Sequence, residues 1–159
     1  MKSNLTPERS WVATGSATML AMCLVLSSTA SAQSTRTKDS ESAEIAGLVL
    51  AGYEVGGMNE VTRVSQECYE MVATKLFCIN LDLAAQHLDR LAASAGGFPP
   101  NSYFLQTAVS ERARPVLAQT GLKGEQANTY LDLAARTMAA AMNDQMAASM
   151  RRQSKKPKR

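Results

Sequence analysis

From Gly124 to Met150 the chain runs without a proline, is rich in alanine, and repeats methionine at a strict spacing of four: Met138, Met142, Met146 and Met150. At about 100° per residue, each four-residue step drifts by about 40° around a helix. Met138, Met142 and Met146 then share a side with Ala127, Tyr130, Leu131, Ala134 and Ala135, while Asp132, Arg136, Asn143 and Asp144 fall opposite and Met150 drifts to the edge. The stretch reads as one long amphipathic helix whose apolar face must be covered by other elements. No segment elsewhere alternates with the period of a strand, so the partners are helices too.

Those partners are marked off by glycine and proline. A helix signal begins at Asp39 or Ser40, with Glu41 and Glu44 suiting the first turn. Its residues Ile45, Ala46, Leu48, Val49, Leu50 and Ala51 are apolar nearly all round, which predicts a central helix, ended or kinked by Gly56-Gly57. Asn59 caps the next, with Val61, Val64, Cys68, Met71 and Val72 as its apolar stripe. A third starts near Asn80, with Leu81, Ala84, Ala85, Leu88, Leu91, Ala92 and Ala95 on one face, and stops at Gly96-Gly97-Phe98-Pro99-Pro100. A fourth runs from Asn101 or Ser102 to Arg114, where Pro115 kinks it or opens a new turn, and Gly121 closes it. The expected fold is all-α: a small bundle of four to five helices with a long C-terminal helix, confined to residues 41–150.

The ends of the chain differ from this body. Lys2 and Arg9 precede an uncharged run from Trp11 to Leu26, and Ala30-Ser31-Ala32 has the small-x-small pattern of a signal-peptidase site. Residues 1–32 are therefore expected to be a bacterial signal peptide cleaved after Ala32, with 33–40 a flexible leader. The apolar run is shorter than the roughly 20 residues that span a bilayer, and Met22 before Cys23 does not suit lipid attachment. Export to the periplasm or beyond leaves Cys68 and Cys78, ten positions apart, in an oxidising compartment, where an intramolecular disulfide is the expected state. A straight helix would hold the two about 15 Å apart, whereas a disulfide spans about 5.5 Å between α-carbons. The chain must therefore turn between them, around Thr74-Lys75-Leu76-Phe77.

Charge is polarised. Of 17 Lys and Arg, two precede residue 33 and six lie in the last nine residues (Arg151, Arg152, Lys155, Lys156, Lys158 and Arg159), leaving nine against 13 acidic residues in 33–150. The body carries about −4 and the tail +6. With no apolar residue and one proline, residues 151–159 are expected to be disordered. The tail suits an anionic membrane surface or an acidic partner, or serves solubility alone. No aromatic is interleaved for stacking on bases, so no nucleic acid is expected.

No catalytic constellation is legible. His87, the sole histidine, lies on the polar side of its helix beside Asp89, and no serine elbow, zinc-protease motif or phosphate loop occurs. No enzyme activity, catalytic residue or cofactor is expected. The expected function is that of an exported, non-enzymatic interaction or inhibitor protein with a protein partner in the envelope. In layout alone this is similar to immunity proteins that neutralise cell-wall-attacking toxins. The candidate interaction face comprises Met142, Met146 and Met150, whose thioethers adapt to varied surfaces, with Phe98 and Tyr103 from the aromatic-proline loop. Two alternatives are a soft-metal or small apolar ligand site, with Met138, Met142 and Met146 offering thioethers to Cu(I), and a small envelope hydrolase.

Overall fold

The computed structural model describes residues 27–71 and 75–154, with side chains from Asp39 onward. The expected signal-peptide core and cleavage site lie outside the described residues or side chains. Arg36–Arg159 packs as one compact unit, and the helical residues 27–35 belong to another. The elements are α1 (Ser27–Met71), α2 (Lys75–Gly96), a short 3-10 turn (Ser102–Phe104), α3 (Gln106–Gln119) and α4 (Glu125–Ser154).

Helix α1 is two arms. Gly56 and Gly57 leave helical geometry, Gly57 with φ +63° and ψ −155°, a region essentially confined to glycine. A β-carbon at Gly52 would stand 3.6 Å from Val61 Cγ2. In a straight helix those two positions are roughly 13 Å apart along the axis, so the chain doubles back at the glycine pair, where the sequence predicted an end or a kink. The first arm gives Ile45, Ala46 and Val49 to the core and the second gives Val61, Ser65 and Cys68 to the interior. The second arm is rotated from its predicted register: Ser65 points inward and Met71 is three-quarters exposed, because Asp82 of α2 takes the serine as a hydrogen-bond partner.

The central helix is α2, not the first segment. Six consecutive residues, Leu81 to Gln86, are buried, as are Leu88 and Asp89. Such burial on all faces requires neighbours all round, supplied by α1, α3 and α4, whose core side chains include Val109, Ala113, Val116, Leu117, Met138 and Met142. Small residues Ala84, Ala85 and Ala113, each fully buried, let the helices approach closely. The apolar face fades along α2: Leu91 and Ala95 are exposed. It starts at Lys75, earlier than expected. The Cys68 and Cys78 sulfurs lie 2.10 Å apart with α-carbons at 5.7 Å, disulfide geometry that ties α1's second arm to the first turn of α2. Residues 72–74 lie outside the described residues.

The helices extend beyond the expected bounds at both ends of the bundle. The leader 33–40 is helical as part of α1, and α4 continues through Ser154, so Arg151 and Arg152 belong to its last turn. Arginines in the last described turn complement the helix dipole. Pro115 sits inside α3 without ending it. Among the described residues no helix is long and apolar enough to cross a membrane.

Candidate functional site

Two features concentrate chemistry. The first is a carboxylate sealed inside the bundle. Asp82 has no exposed side-chain surface, which is affordable only with partners. It has three, making four hydrogen bonds: Arg112 donates to Oδ2 from Nε at 3.0 Å and from Nη2 at 2.8 Å, Tyr69 Oη donates to Oδ2 at 3.1 Å, and Ser65 Oγ donates to Oδ1. The guanidinium of Arg112 stacks 3.7 Å above the Tyr103 ring, and Tyr103 Oη lies 3.2 Å from Ser65 Oγ. Burial raises the Asp82 carboxyl above the ordinary range, opposed by its Ser65, Arg112 and Tyr69 partners. Burial beside Asp82 likewise raises the Tyr69 phenol. Three helices and the 3-10 turn are thus pinned to one point. An open depression lined by Gln66, Tyr69, Glu70, Tyr103 and Arg112 lies outside it.

The second feature is an apolar groove where α1 reverses. Tyr53, Gly57 and Met58 of α1, Ala92, Ala93 and Gly96 of α2, and Phe98, Pro99 and Asn101 of the following loop line a cleft of about 450 Å³. Its rim is open to solvent: Phe98 is 75% exposed. The loop is held by hydrogen bonds. Asn101 donates its backbone N–H to Asp89 Oδ2 at 2.8 Å and its side-chain amide to Thr62 Oγ1 at 3.3 Å. Gln86 donates to the Phe104 carbonyl at 2.9 Å, and Asn101 Oδ1 caps the 3-10 turn by accepting from the Tyr103 N–H at 2.9 Å. Phe104 is buried in the core. Phe98 packs over the bare α-carbon of Gly96, where a β-carbon would come within 2.9 Å of its ring. Asp89 stands beneath the cleft with its carboxyl raised by burial.

The structure separates the residues singled out in the sequence. Met142 is fully buried and Met138 nearly so, so Met142 is corrected from interaction surface to core. The thioethers of Met138 and Met142 fill the helix interface rather than an accessible site. Met146 packs partly buried against the core, and Met150 is 64% exposed. Phe98 lines the groove, whereas Tyr103 is engaged under Arg112. Among the described residues no group of three His, Cys, Asp or Glu could hold a metal ion. His87 Nε2 lies 3.1 Å from Asn143 Oδ1, and its sequence neighbour Asp89 is occupied by Asn101, so no carboxylate orients the ring.

Sequence reasoning missed Asp82, Ser65, Tyr69 and Arg112. The one available signal was an aspartate between two leucines at Leu81-Asp82-Leu83, on a helix that otherwise reads as core. Compared with family models, with curated proteins and with solved structures, the chain returns no match.

Proposed function

We propose that the chain is an exported, non-enzymatic interaction protein that captures a basic protein segment carrying an apolar anchor side chain, using the groove between Tyr53, Met58, Ala92 and Phe98. The observation that carries this reading is Phe98, a large aromatic three-quarters exposed on a loop fastened by Asp89 and Asn101. Exposed aromatics on a rigid support make good anchors because little entropy is lost when they are covered. Tyr53 extends the apolar lining, and Glu54 beside it in sequence is exposed. The net charge of about −4 in residues 33–150 favours a cationic partner. The signal-like residues 1–32 and the cysteine pair at disulfide distance support export, cleavage after Ala32, and residence in the periplasm or outside the cell.

The test is affinity capture from the native host's envelope fraction with the wild-type protein and with Phe98→Ser and Tyr53→Ser variants. A partner held by the wild type and lost from both variants supports the groove. The same partners held equally by all three contradict it.

A further inference from the structure

Resting on the groove reading above, we infer that the groove holds a recognition pocket for one lysine side chain of the partner segment, its ammonium bound by Asp89. Asp89 is the one carboxylate that lines the cleft, and it is buried, at 4% exposure. Asn101 donates its backbone N–H to Oδ2 at 2.8 Å, and among the described residues Oδ1 accepts no hydrogen bond. The ion pairs among the described residues join Arg63 to Glu60 and Glu67 and Arg112 to Asp82, so none of them reaches Asp89. A carboxylate is thus held against an open apolar cleft with one oxygen engaged and one free.

The surroundings select the kind of cation. Ala92, Ala93 and Gly96 follow Asp89 on the same face of α2, and Tyr53 and Met58 of α1 line the same cleft. Walls of this kind suit the aliphatic stem of a lysine, whose charge sits at its tip. A guanidinium binds a carboxylate best through both oxygens at once, whereas here Oδ2 is already engaged by Asn101. A single free oxygen suits the compact point charge of an ammonium. The cleft also takes in the last turn of α2, which carries no basic residue, so the negative end of that helix dipole adds to the attraction. Burial has desolvated Asp89 in the free protein and holds its carboxyl above the ordinary aspartate range, with the Asn101 N–H opposing. An arriving ammonium therefore meets a carboxylate already stripped of much of its water, and it reverses that shift. The apolar anchor of the segment meets Phe98 at the rim, so the determinant is a lysine beside an apolar residue.

The experiment titrates the isotope-labelled protein, as isolated from its host, with acetyl-leucyl-lysine amide and follows the Asn101 backbone N–H by NMR. Comparison probes are acetyl-leucyl-norleucine amide, which keeps the stem and lacks the ammonium, acetyl-leucyl-arginine amide, and free cadaverine. The lysine probe is expected to shift the Asn101 N–H saturably. It should bind about tenfold more tightly than the norleucine probe, the increment of one charge-assisted hydrogen bond, and more tightly than the arginine probe or cadaverine. Asp89→Asn, which keeps an acceptor for the Asn101 N–H, should reduce the lysine probe to the affinity of the norleucine probe. Phe98→Ser should weaken both alike. Circular dichroism verifies that each variant remains folded, and the comparison among probes on the wild type needs no variant. Equal affinity of the wild type for the lysine and norleucine probes, tighter binding of arginine or cadaverine, or no saturable shift at Asn101 would each overturn the inference. The groove reading is judged separately, by capture of a partner sensitive to Phe98 and Tyr53, and it stands or falls on that capture whatever the probes do.

Discussion

Arg112 places Nε and Nη2 on a single oxygen of Asp82, at 3.0 and 2.8 Å, while its guanidinium lies flat on Tyr103. The pair joins α3 to the centre of α2 across 30 positions of sequence, and Ser65 and Tyr69 bring in α1. A charge at the heart of a small core is seldom a net source of stability, because desolvation offsets much of the attraction. Its consequence is specificity: the bundle has one register in which Asp82 is satisfied.

Removing one partner is therefore far worse than removing both. Arg112→Met strands a buried carboxylate and is expected to cost about 3 kcal/mol, the lower end of the range for broken buried pairs because the arginine is partly exposed. The double variant Arg112→Met/Asp82→Leu should recover most of that loss. Urea denaturation of the three proteins measures both numbers, and a double variant less stable than Arg112→Met contradicts the assignment.

The raised carboxyls predict a pH dependence with a definite sign. Asp82 and Asp89 both hold their protons more tightly in the fold than in the unfolded chain, chiefly through burial. Their contribution is fully present below the ordinary aspartate range and is lost as pH rises through the raised folded values. Unfolding free energy is thus expected to decline with rising pH in the window just above the ordinary aspartate value, and Asp82→Asn should flatten that slope. A slope of opposite sign that Asp82→Asn abolishes contradicts the direction assigned to Asp82.

The four evenly spaced methionines should behave as two kinds of residue. Met142→Ala opens a cavity in a sealed interface and is expected to cost about 2–5 kcal/mol, whereas Met150→Ala, at an exposed position, should stay within about 0.5 kcal/mol. If the stripe were a Cu(I) ladder, anaerobic Cu(I) would raise the unfolding midpoint; burial of Met138 and Met142 leads us to expect no shift.

The cysteine pair has its own readout. Cys68→Ser/Cys78→Ser is expected to lose roughly 2–3 kcal/mol by the chain-entropy argument for a loop of this size, with helix content retained because the second arm and α2 also share the Asp82 contacts. An equal midpoint with and without reductant in the wild type would show that the bridge does not form.

What the sequence disclosed follows from what is local. Helical period, glycine-proline punctuation and cysteine compartment are properties of short windows, and they yield the bundle, the break at Gly56-Gly57, the stop at Gly96-Gly97 and the Cys68–Cys78 pairing. The central position of α2 is not local: Leu91 and Ala95 carry the same apolar spacing as Leu88 yet lie where no helix covers them. Asp82 is the sharpest case. Its partners sit 13, 17 and 30 positions away, and only their convergence turns a polar residue on a helix into the pin of a core. For the groove, the aromatic-proline loop was visible in sequence, but the fate of its rings was decided by anchoring. Phe104 turns inward, Tyr103 is taken by Arg112, and Phe98 remains outside.

That remaining ring is where the functional account is most exposed to test. The decisive measurement is calorimetric titration of a captured envelope partner against wild type and Phe98→Ala, with Leu133→Ala, another exposed apolar side chain, as the control. The account predicts that Phe98→Ala weakens binding by roughly thirtyfold, as expected for loss of an interface anchor worth about 2 kcal/mol, and that Leu133→Ala binds like wild type. Equal affinity for Phe98→Ala and wild type, with both proteins folded, would contradict it.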